Sequence, residues 1–329
     1  MNILVCGGTR FYGKELIQQL LDHHHKVTIV SRRKLLNQRD LTYIRGELSP
    51  ELVESLQLGN EFDFVISNIC MDEKDVEVHI KCFQKICKKH IFISSIGVYK
   101  NNTVYDTGNE HDYNPFDLTL YEEQCHLDKR KMERKIVRTL PIGSYYILRP
   151  SIIIGVDDWT KRLDFYIQRL LDENGIISLG DGNCKFNWVC DWQLANIVVY
   201  LIENSHKFND AIYNASSNKA ISFIEFIKRI ADILKLSKIK FLSVQEIPSK
   251  ELPYSGFRDP YGKENATCNI TRLRTINPLL TDVKEQHLND IIRKTINRIN
   301  LNQVPDYHKR NLELEFIERY SDFIKILEI

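Results

Sequence analysis

The chain has 329 residues, with 45 Lys plus Arg against 44 Asp plus Glu, a net charge of +1 and 43% hydrophobic residues. This is the composition of a soluble globular protein long enough for two domains, and its neutral balance argues against nucleic acid or an anionic membrane as a partner. Eight cysteines (Cys6, Cys70, Cys82, Cys87, Cys125, Cys184, Cys190, Cys268) form no C-x-x-C pair, Met1 leads straight into a strand, and no apolar run reaches the roughly 18 to 20 residues of a membrane span. The expectation is a cytoplasmic protein with buried, reduced thiols and no metal site.

In chain order, Ile3 to Cys6 reads as a strand, Glu15 to Leu21 has helical spacing, and "KVTIVSR" (Lys26 to Arg32) is a second strand. "LTYIRG" and "FDFVISNIC" (Phe62 to Cys70) follow, then a helix around Val76 to Lys88 and the strand "HIFISSIGVY" (His90 to Tyr99). Residues 100 to 120 are a polar loop, and a helix runs from about Leu120 to Arg138. "SYYILRPSIIIG" reads as one buried strand, "NWVCDWQLANIVVYLIEN" as a strand passing into a helix, and "AIYNASS" as a strand. "SFIEFIKRIADIL" is an amphipathic helix with Ser222 as N-cap and Glu225 at the capping-box position. Residues 245 to 265 form an extended loop, and Leu312, Phe316, Tyr320, Phe323 and Leu327 mark a terminal helix. Near-continuous apolar strands separated by helices predict a parallel sheet covered on both faces.

In "VCGGTRFYGKEL" the glycines at 7, 8 and 13 lie where a strand ends and a helix opens. Gly7 and Gly8 allow a tight turn close to a pyrophosphate, Gly13 lets helix pack on strand, and the helix N-terminus faces the phosphates. The second strand ends in Ser31, Arg32 and Arg33 rather than in an acidic residue, and Arg10 lies in the turn, so a 2′-phosphate suits the site and NADP is favoured over NAD.

The chain resembles the extended short-chain dehydrogenases/reductases of the NAD-dependent epimerase/dehydratase type. The blocks that carry the resemblance are "GGTRFYG" (7–13), "FDFVISNIC" (62–70), "ISSIGVY" (93–99), "KRKME" (129–133), "LRPSIIIGVDD" (148–158), "GDGNCKFNWVCDWQLANIV" (180–198) and "YNASSNKAISFIEFIKRIA" (213–231). The Gly-Gly-Thr-Arg-Phe-x-Gly turn is similar to that of a branch which includes chloroplast stem-loop-binding proteins. The resemblance implies a Rossmann-like, doubly wound parallel sheet over 1–150, with segments around 184–216 returning to it. It also implies a smaller mixed α/β substrate lobe over 151–329. By the same resemblance Thr9, Arg10 and Phe11 join the glycines in holding the nucleotide, Glu47 and Leu48 (after Gly46) touch adenine, Asn68, Ile69 and Cys70 line ribose and pyrophosphate, and Arg149, Pro150 and Ile152 flank the nicotinamide.

The family works through a serine, a tyrosine and a lysine one helical turn apart on one face. Ser95 fits the serine, where it would also touch substrate, and "KRKME" fixes Lys129 as the lysine, which also holds the nicotinamide ribose. Four residues earlier stands Cys125, not tyrosine. Three readings stay open: Cys125 is the acid/base, with Lys129 lowering its pKa; Tyr121 or Tyr99 reaches in from a neighbouring turn; or the nucleotide is bound without redox chemistry.

"DHHHK" (22–26) reads as a solvated turn rather than a metal tract, and "KRKMERK" (129–135) as a solvated helix face rather than an RNA patch. Asp158, Arg162 and Tyr166, with Lys161, and Tyr254 and Arg258, with Asp259, are candidate substrate contacts by position. The leading expectation is an NAD(P)-dependent reductase, epimerase or dehydratase, monomeric or homodimeric, acting on a small polar metabolite such as a nucleotide-sugar. A non-redox enzyme, a silent nucleotide-binding protein and an RNA-binding protein are the alternatives.

Overall fold

A computed structural model describes residues 1–33, 40–55, 62–99, 124–244, 266–299 and 310–328. In chain order the strands are β1 (Asn2–Cys6), β2 (Lys26–Ser31), β3 (Leu41–Arg45), β4 (Phe62–Ser67), β5 (Cys87–Ile93), β6 (Tyr145–Pro150), β7 (Ile152–Ile154), β8 (Ile176–Leu179), β9 (Lys185–Cys190), β10 (Ile212–Ala215), β11 (Ala220–Ser222), β12 (Lys240–Val244) and β13 (Ile324–Glu328). The helices are α1 (Tyr12–Asp22), α2 (Pro50–Ser55), α3 (Glu73–Phe83), α4 (Gln124–Thr139), α5 (Arg162–Leu171), α6 (Asp191–Glu203), α7 (Phe223–Leu234), α8 (Thr271–Ile276), α9 (Glu285–Arg298) and α10 (Arg310–Arg319).

The chain divides into two units. The first comprises Met1–Asp157, Trp188–Asn218 and Cys268–Asp282. It thus runs past the expected boundary at 150, and it takes back a segment near 268–282 that the sequence places in the second lobe. The second comprises Asp158–Asn187, Lys219–Thr267 and Val283–Ile329.

The first unit is built on a seven-stranded, all-parallel sheet in the order β10-β6-β5-β4-β1-β2-β3. Ile3, Leu4, Val5 and Cys6 are all fully buried, because helices cover both faces of β1. α1 turns Leu16, Ile17 and Leu20 onto one face, and this stripe packs with Leu194, Val198 and Leu201 of α6. Strand order reverses between β1 and β4, which opens a crevice at their carboxyl ends, the place where open α/β sheets bind ligands.

Three expectations about elements are corrected. The helix expected to Lys88 ends at Phe83, because Cys87 already pairs with Phe62 as the first residue of β5. "SYYILRPSIIIG" is two strands, since Pro150 offers no N–H to continue the ladder and the chain resumes as β7 beside Trp188–Cys190. The terminal apolar stripe is not one helix: α10 stops at Arg319, and Ile324–Glu328 runs antiparallel to β12.

In the second unit β12 lies between β8 and β13, and α7 starts with the capping box read from the sequence. The Ser222 hydroxyl accepts from the Glu225 amide at 3.2 Å, and the Glu225 carboxylate accepts from the Ser222 amide at 2.9 Å. No disulfide joins the described cysteines, and among the described residues no helix is long and apolar enough to cross a membrane.

Candidate nucleotide and active site

The glycine turn follows β1. Gly7 and Gly8 have φ of 80° and 98°, a region that side chains rarely adopt, and Phe11 holds φ of 51° just before α1. Gly13 is required by contact: a Cβ there would lie 2.4 Å from Gly8 Cα. The turn is tied to the neighbouring strands, since Gly7 N–H donates to Val30 O at 2.9 Å and Asn68 N–H donates to Cys6 O at 3.1 Å. Thr9 and Ser31 hydroxyls lie 3.3 Å apart, and Arg10, Arg32 and Arg33 are exposed. Glu47 is exposed beyond β3, while Leu48 packs partly against the core.

The loop after β4 closes the other side. Ile69 is 42% exposed, yet its Cγ2 lies 2.5 Å from where a Gly7 Cβ would be, so only glycine leaves the isoleucine room. Tyr12 donates its phenol proton to Asn68 Oδ1. The Asn68 Nδ2 is buried and has no hydrogen-bond partner among the described residues. The Cys70 thiol accepts from Ser67 Oγ at 2.9 Å, and burial pushes its pKa up to about 12, so it is an inert thiol.

Lys129 is buried on α4, and its Nζ donates to Cys70 O at 2.6 Å and Ile93 O at 2.9 Å, linking the ends of β4 and β5. Burial pushes its pKa down to about 8, against the opposing pull of Cys70 and Glu133. Ser95 caps a single 3-10 turn, with its Oγ accepting from Gly97 N–H at 3.0 Å. Cys125 lies in α4 one turn before Lys129, about 6 Å along the axis. Its side chain, and all of Tyr121, Tyr254, Arg258 and Asp259, lie outside the described residues.

Several of the residues expected to touch cofactor or substrate have partners within the protein. Tyr99 does not offer a free phenol: its OH accepts from Arg149 Nη1 at 2.9 Å and donates to Asn214 Oδ1 at 2.8 Å, deep in the unit. The Arg149 guanidinium, expected beside the nicotinamide, is fully buried and paired to Glu133. Pro150 is buried beside it at the end of β6, and Ile152 is half-buried in β7. In the second unit Asp158 closes a local turn, accepting from Thr160 Oγ1 at 2.6 Å and Arg162 Nη1 at 3.0 Å. The Tyr166 ring is core, packed edge-on to Phe165, Phe223 and Phe226. The "DHHHK" turn is only partly solvated: His25 is buried, with Nε2 3.4 Å from Glu203. The basic α4 face is tied to α3 through Arg134–Glu73 and Lys135–Glu77.

Tyr12, Ser94 and Glu133 are not among the site residues that the sequence suggests. Ser94 Oγ donates to Glu133 Oε1, so the residue beside Ser95 is fastened to α4 one turn beyond Lys129. The signal was present in "KRKME", where Lys129 and Glu133 stand i, i+4 and share one helix face.

A parallel sheet with a glycine turn at its switch point defines a Rossmann-type nucleotide-binding protein. The model of the NAD dependent epimerase/dehydratase family matches residues 3–216, and the chain belongs to that family of short-chain dehydrogenase/reductase-type enzymes. No curated protein sequence matches it. Similar solved structures include UDP-N-acetylglucosamine 4-epimerase from Methanobrevibacter ruminantium (18% identity, TM-score 0.66, covering 90% of this chain and 97% of that one). The dTDP-glucose 4,6-dehydratase of Bacillus anthracis, in complex with NAD, is 14% identical with TM-score 0.67, covering 90% and 97%. The UDP-glucose 4-epimerase of Thermotoga maritima, with UDP-glucose, is 16% identical with TM-score 0.66, covering 90% and 98%. At these identities the likeness is one of fold.

Proposed function

We propose that the chain is an NAD(P)-dependent enzyme of the epimerase, dehydratase or reductase kind, acting at a hydroxyl or carbonyl carbon of a nucleotide-activated sugar or similar polar metabolite. The observation that carries this is the glycine cradle between β1 and α1, where Gly13 meets Gly8 backbone and the Asn68 amide has a donor unmet among the described residues. Both features fit a dinucleotide diphosphate. Gly7, Gly8, Thr9, Arg10, Phe11 and Gly13 would hold the diphosphate, with Asn68 and Ile69 lining the diphosphate and the ribose. Ser31, Arg32, Arg33 and Arg10 would take a 2′-phosphate, which is the reason to favour NADP. The bound nicotinamide supplies hydride acceptance or donation.

Of the chain's own groups, Ser95 would hydrogen-bond the substrate oxygen, Lys129 would turn from the Cys70 and Ile93 carbonyls to the ribose, and Cys125 or Tyr121 would move the proton. A nucleotide-binding protein without hydride chemistry is the second reading, and Cys125 in the place of tyrosine is what favours it. The test is titration with NADH and NADPH, followed by assay of UDP- and dTDP-sugars with wild type, Cys125→Ser and Cys125→Tyr. Nucleotide binding with turnover lost in Cys125→Ser supports the enzyme and the thiol's role. Turnover unchanged in both variants removes Cys125 from the chemistry, and binding without turnover selects the second reading.

A further inference from the structure

We propose that Tyr12 is a positioning residue of the nucleotide site: its phenol fixes which end of the Asn68 amide faces the glycine turn, so that an N–H donor is held for an oxygen of the dinucleotide's diphosphate. The inference rests on the nucleotide-binding reading above and adds to it a residue that touches no ligand.

A carboxamide can present either its oxygen or its nitrogen by turning half a circle, and its partners decide which. Tyr12 is buried, and the acceptor of its phenol proton is Asn68 Oδ1. Turning the amide would make the phenol oxygen accept from Nδ2. That would strand the phenol proton and the amide oxygen together, two unmet groups in place of one. Burial also pushes the Tyr12 pKa far up, so the phenol stays protonated and remains a donor. Tyr12 therefore locks Oδ1 toward α1.

Among the described residues the remaining end of the amide has no partner. Nδ2 is buried, and it lies 3.3 Å from where a Gly8 Cβ would be, so it faces the backbone of the turn itself. A buried donor without an acceptor is unfavourable and asks for a specific oxygen. The turn it faces has φ of 80° and 98° at Gly7 and Gly8 and is followed at once by the α1 N-terminus, surroundings that suit a diphosphate. Asn68 N–H donates to Cys6 O, which holds the backbone of residue 68 against the end of β1 and leaves the side chain as the adjustable part.

The full-length protein is titrated with NADH and with ADP-ribose, which share the diphosphate, and its melting temperature is recorded. Tyr12→Phe keeps the ring and releases the amide, and is expected to raise both dissociation constants about tenfold, the cost of about one hydrogen bond. Asn68→Asp keeps the acceptor for Tyr12 and replaces the donor with a negative oxygen, and is expected to weaken both by more than Tyr12→Phe does. Because Tyr12 acts only through that donor, the double variant should bind no worse than Asn68→Asp alone. Additive losses, or single variants that melt lower yet bind as wild type does, overturn the inference and leave the nucleotide site standing. A wild-type chain that binds neither NADH nor ADP-ribose overturns the nucleotide reading itself and the inference with it.

Discussion

Glu133 and Arg149 are both withdrawn completely from solvent and meet as a two-pronged pair, with Arg149 Nε 3.0 Å from Glu133 Oε1 and Nη2 2.7 Å from Oε2. The pair joins α4 to β6 and extends to Ser94 on one side and through Tyr99 to Asn214 on the other. A buried pair of this kind contributes little net stability, but removing one partner leaves an uncompensated charge. Glu133→Ala is therefore expected to cost about 3 to 5 kcal/mol in urea unfolding. Exchanging both residues for apolar ones of similar volume should cost less than the single change. A Glu133→Ala protein within about 1 kcal/mol of wild type would show that Arg149 finds another partner at no loss.

Lys129 carries its positive charge in a site that disfavours it, with a pKa pushed down by burial to about 8. Between about pH 8 and the unfolded value near 10.5, the unfolded chain holds a proton that the folded chain has released, so stability rises as pH rises through this window. Lys129→Met should flatten that rise, read as unfolding free energies at pH 7.5, 9 and 10. Parallel curves for wild type and variant would place the titration elsewhere.

His79 of α3 and His90 of β5 are buried with Nε2 and Nδ1 3.0 Å apart, against the rings of Phe83 and Phe92. Burial lowers both pKa values, His79 well below the usual value and also through its neighbour's charge, His90 to about 4. Above about pH 6.5 both states are neutral and nothing changes. Below it the unfolded chain gains protons that the folded chain refuses, and stability falls by about 1.4 kcal/mol per pH unit for each histidine. A His79→Phe, His90→Leu double variant should lose about 4 kcal/mol less than wild type between pH 7 and 5. Equal losses would assign the acid sensitivity to carboxylates.

What is legible in the sequence is what repeats or clusters locally. The glycine turn, the apolar strands around it, the Ser222–Glu225 capping box and the i, i+4 relation of Lys129 to its helix all lie within a few residues of chain. The partners of Arg149 do not. Glu133 stands 16 residues away and Asn214 is 115 residues from Tyr99, so no local pattern announces the buried pairing of the arginine. Tyr12 escapes notice for the same reason, as its partner Asn68 is 56 residues on. The tail misleads in another way. An apolar residue every three or four positions suits a helix, yet Ile324 also packs with Phe316 and Tyr320 when it runs as a strand beside β12, and that edge of β12 requires backbone partners.

One buried arginine anchors the described part of the tail. Arg310, at the start of α10, donates to both oxygens of Asp172 at 2.7 and 3.0 Å, to Gly175 O at 2.7 Å and to Glu313 Oε2 at 2.7 Å. Glu313 also accepts from the buried Arg169 at 2.8 Å. Arg310→Ala leaves Arg169 and Glu313 paired and leaves Asp172 its bond from the Asn174 amide, but strips the Gly175 carbonyl and the second Asp172 oxygen of the guanidinium, at a cost of about 1 to 3 kcal/mol. Because α10 leads into β13, the loss should appear as faster amide exchange across 310–328 and along β12, with the β1 and β4 amides of the first unit unchanged. Arg310→Lys keeps the charge but not the planar fork that reaches both Asp172 oxygens, so it should restore only part of the protection. Exchange that rises equally in β1 and β13 would mean that Arg310 supports the whole chain rather than its tail.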